Sequence, residues 1–224
     1  MGRLSALLQR GGAQRAAGEF NVLAISAQKG GVGKTTTALY TANHIGRLLG
    51  GTPERPTVGI IDRDETRNLT KIVAAGLAPL DPGVILLPEY EVPRGHPSLR
   101  LVVIDTPPGY MAVRSLEEAN LVAIPVLPEN NGIVNLVDYL KLLDDAKISV
   151  NPRMRLVAVL PTMVMHNGLH HERLADIRTI AAQRTPPLLV LDPIPRRAAI
   201  MRYDMDNPEY AAAAAGLMAH GCIA

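Results

Sequence analysis

The stretch "AQKGGVGKTTT", residues 27–37, limits the possible folds more than any other part of the chain. It follows the short apolar run "FNVLAIS" (20–26) and opens the helical pattern "KTTTALYTANHIGRLL". A strand that feeds a glycine-rich turn and then a helix presents successive backbone N–H groups as a concave nest, where the helix dipole and unpaired donors favour phosphate oxygens. Glycines at 30, 31 and 33 let the backbone come close to a ligand. Gly30, Gly31, Val32, Gly33, Lys34, Thr35 and Thr36 are therefore candidate nucleotide-binding residues, with Lys34 at the outer phosphates and the Thr35 hydroxyl at Mg²⁺. The spacing G-x-x-x-x-G-K-[ST] calls for glycine at 28, but the chain carries Gln28 and then a second lysine, Lys29.

Further short, nearly continuous apolar runs follow: "TVGIID" (57–62), "LRLVVID" (99–105), "NLVAIPVL" (120–127), "MRLVAVL" (154–160) and "PLLVLDPI" (187–194), with "GVILLPEY" (83–90) as a possible addition. Such runs fit strands covered on both faces. Helical patterns lie between them. In "GIVNLVDYLKLLDDA", Ile133, Leu136, Val137, Leu140 and Leu143 repeat at three- and four-residue spacing behind a candidate Asn131 cap. Asn207-Pro208 reads as a cap and first helical position for a last helix running to Gly221. The alternation predicts a doubly wound α/β fold, a mostly parallel sheet with helices on both faces and its ligand site at the carboxyl ends of the strands. Residues 1–19, with Arg3, Arg10 and Arg15 against Glu19, read as a basic flexible extension, and 20–224 as the folded domain.

Two acidic stations belong to the same end of the sheet. "IIDRDE" places Asp62 at the end of the second strand with Asp64 just beyond, and "VVIDTPPG" places Asp105 at the end of the third. With Thr35, Asp62 and Asp105 are the candidate Mg²⁺ residues, and a further carboxylate can orient an attacking water. No N-K-x-D guanine-reading motif follows the later strands, which favours ATP. The single cysteine, Cys222, excludes an internal disulfide framework and any site needing several thiolates. His166, His170 and His171 could suggest a metal, but Gly168 between them reads instead as a helix start.

Charge is uneven. From Lys147 to Tyr203 there are nine Lys or Arg (147, 153, 155, 173, 178, 184, 196, 197, 202) against Glu172, Asp176 and Asp192, although the whole chain carries only +2. Such a segment is either a solvated surface or a face for a polyanion.

Together, "KGGVGKTTT", "IIDRDE" and "VVIDTPPG" resemble the deviant Walker A, A-prime and Walker B signatures of the ParA/MinD family of P-loop ATPases, and "AIPVLPEN", "VAVLPTMV" and "DPIPRRAAIMR" continue the likeness. The resemblance implies catalytic roles for Lys29, Lys34 and Asp64. Lys29 would reach across an ATP-bound homodimer to the phosphates of the other subunit, and Asp64 would orient water. Asp62 would lie near Mg²⁺ and Asp105 behind the metal-bound water. Pro161, Thr162, Met163, Ile194, Pro195 and Arg196 would flank adenine. "RDETRNL" departs from the ParA form D-x-D-P-Q and leans toward MinD, which puts the geometry of the water site in question. The chain ends "AAAAAGLMAHGCIA", with no Lys or Arg after Arg202, so double-stranded DNA ranks above membrane as the partner surface. The expectation is a cytoplasmic, nucleoid-associated partition ATPase that uses Arg196, Arg197 and Arg202 for DNA and is stimulated by a ParB-like centromere-binding protein. The alternatives are a MinD-like membrane-cycling ATPase and a small-substrate phosphotransfer or ligase enzyme on the same fold.

Overall fold

The computed structural model describes residues 19–88 and 91–222. Seven strands, β1 (Asn21–Ile25), β2 (Val58–Asp62), β3 (Val84–Leu86), β4 (Leu101–Asp105), β5 (Leu121–Val126), β6 (Arg155–Pro161) and β7 (Leu189–Val190), form one sheet in the order β3-β2-β4-β1-β5-β6-β7. All six pairings are parallel. The helices are α1 (Lys34–Leu49), α2 (Asn68–Ala74), α3 (Val113–Glu118), α4 (Asn130–Ser149), α5 (Gly168–Ala182), α6 (Ala198–Met201) and α7 (Pro208–Leu217). The chain leaves β1 for the β2 side, returns through β4, and then builds outward through β5. The strand order therefore reverses at β1, and such a reversal opens a crevice at the strand ends.

Alternation along each strand divides the interior into two cores. Leu23 and Ile25 of β1 join Val103, Ile60, Leu39, Ile45 and Tyr210 on one face, which α1 and α7 cover. Val22 and Ala24 join Val102, Ile104, Leu136, Leu140 and Ile177 on the other, covered by α4 and α5. With both faces dry, the strands read as continuous apolar runs in place of an alternating pattern.

Three expected boundaries shift. The run 187–194 is regular only at Leu189–Val190, because Pro187 and Pro193 lack a backbone donor, yet Leu191 N and Ile194 N still reach Val159 O and Pro161 O at 3.0 and 2.9 Å. The run 83–90 is a three-residue edge strand, and residues 89–90 lie outside those described. Helix α4 starts at Asn130 with Glu129 at its N-cap, two residues before the expected Asn131 cap, and no side chain caps it. The last helix does begin as expected, with Asn207 Oδ1 accepting from Tyr210 N at 3.0 Å and Pro208 at the first position. It ends at Leu217, and a wider turn, Met218–Cys222, follows. Arg3, Arg10 and Arg15 of the expected extension lie outside the described residues.

Helix α1 is held at its flank by a buried aromatic pair. The rings of Tyr40 and Tyr210 stack with centroids 4.4 Å apart, and the Tyr210 hydroxyl lies 3.2 Å from Thr37 Oγ1. Burial pushes the Tyr210 phenol up to about 12, so it stays neutral. Replacing Tyr210 with alanine is expected to reduce unfolding free energy by about 3–5 kcal/mol, measured by urea denaturation, since a cavity would open beneath the helix that carries the glycine-rich turn.

Candidate functional site

The glycine-rich turn sits at the reversal point. Gly31 and Gly33 have φ of 79° and 86°, a left-handed region in which glycine is the default residue. Gly33 is the N-cap of α1 and offers no side chain to bond the first-turn amides, which therefore stay available to a ligand. A Cβ on Gly33 would also stand 3.4 Å from Met163 Cε, so the turn passes close to the chain beyond β6.

The two lysines have opposite fates. Lys34 is buried, with its Nζ donating to Lys29 O at 3.1 Å across the mouth of the turn. Burial lowers its pKa, and the charges of Asp105 and Asp64 partly restore it. Lys29 is exposed. Gln28, which stands where glycine was expected, packs against the loop after β4. Gly109 N donates to Ala27 O at 3.1 Å, and a Cβ on Gly109 would come within 3.3 Å of Gln28 O.

Parallel register brings the carboxylates to one level, since Asp105 is the partner of both Ile25 and Asp62. Their surroundings differ. Asp62 is fully engaged: Oδ1 accepts from Asp64 N at 3.2 Å, and Oδ2 accepts from Thr70 N and Thr70 Oγ1, each at 2.9 Å, with Arg67 Nε 4.0 Å away. Asp105 is buried with neither carboxylate oxygen completing a hydrogen bond of good geometry, although the Thr35 hydroxyl is near enough to favour the ionised form. Burial pushes the Asp105 carboxyl up to about 7, with the Asp62 charge adding to the effect. A buried acceptor pair beside Thr35 and Lys34 fits a divalent cation. No group of three His, Cys, Asp or Glu among the described residues could hold a metal ion. Asp64 lies beyond the strand end and, with Gly30, Gly33, Lys34, Thr35 and Pro108, lines a cavity of about 580 Å³.

The residues expected around a base divide. Thr162 turns away from the cleft and grips the glycine-rich turn, its hydroxyl 2.8 Å from Val32 O. Met163, at φ 52°, lines the same cavity as Asp64. Beyond it the two loops are stitched together, with Val164 N donating to Ile194 O and Arg196 N to Val164 O, both at 2.9 Å. A cleft of about 700 Å³ opens beside Val164, Pro195 and Arg197. His170 is structural, since Asn167 Oδ1 accepts from its amide at 2.8 Å and its Nδ1 accepts from Met165 N at 3.1 Å.

Sequence reasoning did not anticipate three supports. Thr70 and Arg67 fasten Asp62, and Thr66 fastens Asp64 through its amide and hydroxyl, 2.9 and 2.7 Å from Asp64 Oδ1. The pair Asp64-x-Thr66 is a readable turn signal; the contact from Asp62 to Thr70 depends on the fold. The third is a buried hydroxyl chain under the site. Thr106 Oγ1 donates to Ser26 Oγ at 2.9 Å, and Ser26 Oγ lies 2.5 Å from Tyr139 OH, which links β1, β4 and α4.

The basic segment does not form one face. Lys147, Arg153 and Arg155 fall at the end of α4 and the start of β6, the amino-terminal edge of the sheet, whereas Arg196, Arg197 and Arg202 lie at the carboxyl edge with the site. Arg197 pairs with Glu209 at 2.6 Å, Arg173 with Glu172 and Asp176, and Arg184 with Asp144. Arg196 and Arg202 are exposed and form no ion pair among the described residues.

Residues 23–208 match the CobQ/CobB/MinD/ParA nucleotide binding domain. The chromosome-partitioning ATPase Soj of Thermus thermophilus is 28% identical over 192 residues, 72% of each chain. Chromosome partitioning protein ParA of Caulobacter vibrioides is 27% identical over 209 residues, covering 72% of this chain and 77% of its own. Among solved structures, the Mycobacterium smegmatis cobyrinic acid a,c-diamide synthase with bound ADP and magnesium superposes with a TM-score of 0.69 at 24% identity, over 90% of this chain and 95% of that one. Aquifex aeolicus MinD superposes with a TM-score of 0.62 at 18% identity, over 88% and 95%.

Asp105 generates a pH prediction for the nucleotide-free protein. Its folded pKa lies above its unfolded one, so its contribution to stability is complete below about pH 4 and is lost as pH rises toward 7. Asp105→Asn should therefore unfold with a higher free energy than wild type above pH 7, by up to about 4 kcal/mol, with the difference vanishing near pH 4. The same variant should lose Mg²⁺-dependent nucleotide affinity. Equal pH–stability curves for the two proteins would show that the carboxylate is not strained by its burial.

Proposed function

From the premise that the chain belongs to the CobQ/CobB/MinD/ParA nucleotide-binding domain family, we propose that it is an ATP-dependent DNA partition ATPase, a nucleotide-switched dimer that binds duplex DNA without sequence preference. The observation that carries this reading is the division of labour between the two lysines. Lys34 is buried inside its own turn, while Lys29, five residues earlier, is exposed and free to serve a second copy. The relatives named as partitioning proteins supply the biological direction.

In this reading the α1 amides and Lys34 would hold the outer phosphates, Lys34 exchanging the Lys29 carbonyl for a phosphate oxygen, and Thr35 and Asp105 would hold Mg²⁺, whereas Asp62, also expected beside the ion, has both carboxylate oxygens engaged by Asp64 N and Thr70. The ion, when bound, neutralises charge on the transferring phosphoryl group. Asp62 anchors the turn that presents Asp64, and Asp64 orients the attacking water. The stitched loops at Val164 and Ile194–Arg196 border the base. A ParB-like protein stimulates hydrolysis, and the ATPase works on the nucleoid in the cytoplasm. No helix among the described residues is long and apolar enough to cross a membrane.

Lys34→Ala should lose ATP binding. Asp64→Ala should keep it, slow turnover by roughly 10²–10⁴-fold and accumulate the dimer in sizing experiments. Lys29→Ala should bind ATP as a monomer; a dimer as stable as wild type with a non-hydrolysable analogue would make the second lysine a structural member of the turn.

The DNA surface narrows from three arginines per subunit to two unpaired ones, Arg196 and Arg202, because Arg197 must first leave Glu209. Four phosphate contacts per dimer give a log–log salt slope of about −3.6, a loss of roughly two decades between 50 and 200 mM salt, against about −5.4 for six. An electrophoretic shift assay with and without ATP measures this. Arg196→Ala with Arg202→Ala should flatten the slope for any DNA sequence, and Arg197→Ala alone should change it less. Binding to anionic vesicles and not to DNA would replace partition with the membrane-cycling reading. Turnover of a small metabolite without a DNA effect would favour the phosphotransfer or ligase reading.

A further inference from the structure

Arg67 belongs to none of the nucleotide-binding motifs, yet it is held in an unusual state beside them. Its backbone is left-handed, φ 52° and ψ 36°, at the N-cap of α2, where an L-residue with a long side chain is disfavoured. Among the described residues, these contacts hold it there. Its amide donates to Asp64 O at 2.9 Å, its carbonyl accepts from Lys71 N at 3.0 Å, its Nη1 donates to Asp62 O at 3.1 Å, and its Nε stands 4.0 Å from Asp62 Oδ2. The guanidinium thus closes a ring through residues 62–67, in which Asp62 Oδ1 receives the Asp64 amide and Asp64 Oδ1 receives both donors of Thr66. Asp64 Oδ2 accepts no hydrogen bond among the described residues, and Asp64 lines the phosphate cavity.

We propose that Arg67 is a positioning residue for hydrolysis: by clasping the Asp62 carbonyl it fixes the left-handed exit of the turn, and that exit aims the unengaged oxygen of Asp64 into the cavity. The proposal rests on the ATPase reading above. Strain at a functional turn persists only where the surroundings over-determine it, and here the surroundings are the groups Asp64 needs.

Three variants test it, each assayed for basal hydrolysis, nucleotide affinity, melting temperature and amide hydrogen exchange. Arg67→Ala removes the clasp and leaves the strained backbone; Arg67→Gly removes both; Arg67→Lys keeps one donor able to reach the Asp62 carbonyl. The alanine and glycine variants should lose roughly 10- to 100-fold in kcat, with KM and nucleotide Kd within about twofold of wild type, because misplacement of Asp64 affects the transition state and not ground-state binding. Arg67→Gly should melt no lower than wild type, which separates the loss from unfolding, and Arg67→Lys should recover part of kcat. Exchange at the Asp64, Thr66 and Thr70 amides should quicken by about tenfold or more when the clasp is absent. Wild-type kcat together with wild-type exchange in Arg67→Gly would overturn the proposal, as would a kcat loss matched by an equal loss of nucleotide affinity. If wild type itself does not turn over ATP, the functional reading fails, and the exchange comparison still decides whether Arg67 sets the turn.

Discussion

The arrangement at the carboxyl ends of β1 and β4 depends on keeping two opposite charges out of water without joining them. Lys34 spends its ammonium on a backbone carbonyl, and Asp105 keeps two buried oxygens without a protein partner of good geometry. A direct salt bridge would relieve both, but it would also fill the space between an amide-lined turn and a carboxylate, the space a phosphate–cation pair requires. The fold carries this cost because everything around it is dry and well packed. The neighbouring strands are fully buried, and each face of the sheet has its own apolar core.

Much of this was legible in the sequence. Strands buried on both faces leave continuous apolar runs, so the central strands could be located, with the half-exposed edge strand β3 read only as a possible addition, and the turn before Lys34 declared its glycines by spacing. What was not legible lies in contacts across the sheet. Thr162 stood in a segment expected at a base, and only the fold shows its hydroxyl under Val32. Asp62 and Asp105 looked alike, each an aspartate at a strand end, but Thr70, eight residues on, satisfies one while nothing comparable reaches the other. Proline content shortened β7 without ending its pairing, because individual amides between the prolines still find carbonyls on β6 and just beyond it.

Charge gave the sharpest difference between chain order and space. Nine basic residues within one quarter of the sequence read as either a solvated surface or a face for a polyanion, yet the fold carries Lys147, Arg153 and Arg155 to one edge of the sheet and Arg196, Arg197 and Arg202 to the other. Two of them, Arg184 and Arg197, also pair with acids that the segment itself does not contain, Asp144 and Glu209. Local net charge in a sequence is therefore a poor guide to surface potential whenever the segment crosses a sheet, since ion pairs are chosen by the fold.

The hydroxyl chain from Thr106 through Ser26 to Tyr139 joins two strands and a helix on which different parts of the site are built. Burial pushes the Tyr139 phenol up to about 12, so the chain stays neutral. Removing the Ser26 hydroxyl strands that of Tyr139 in a dry interior, while Thr106 keeps Ile25 O at 3.0 Å, so removing Ser26 and Tyr139 together leaves less polar surface unsatisfied. Changes at Ser26 and Tyr139 are consequently coupled, and the pair tolerates joint replacement by apolar residues of similar shape better than the sum of single replacements implies.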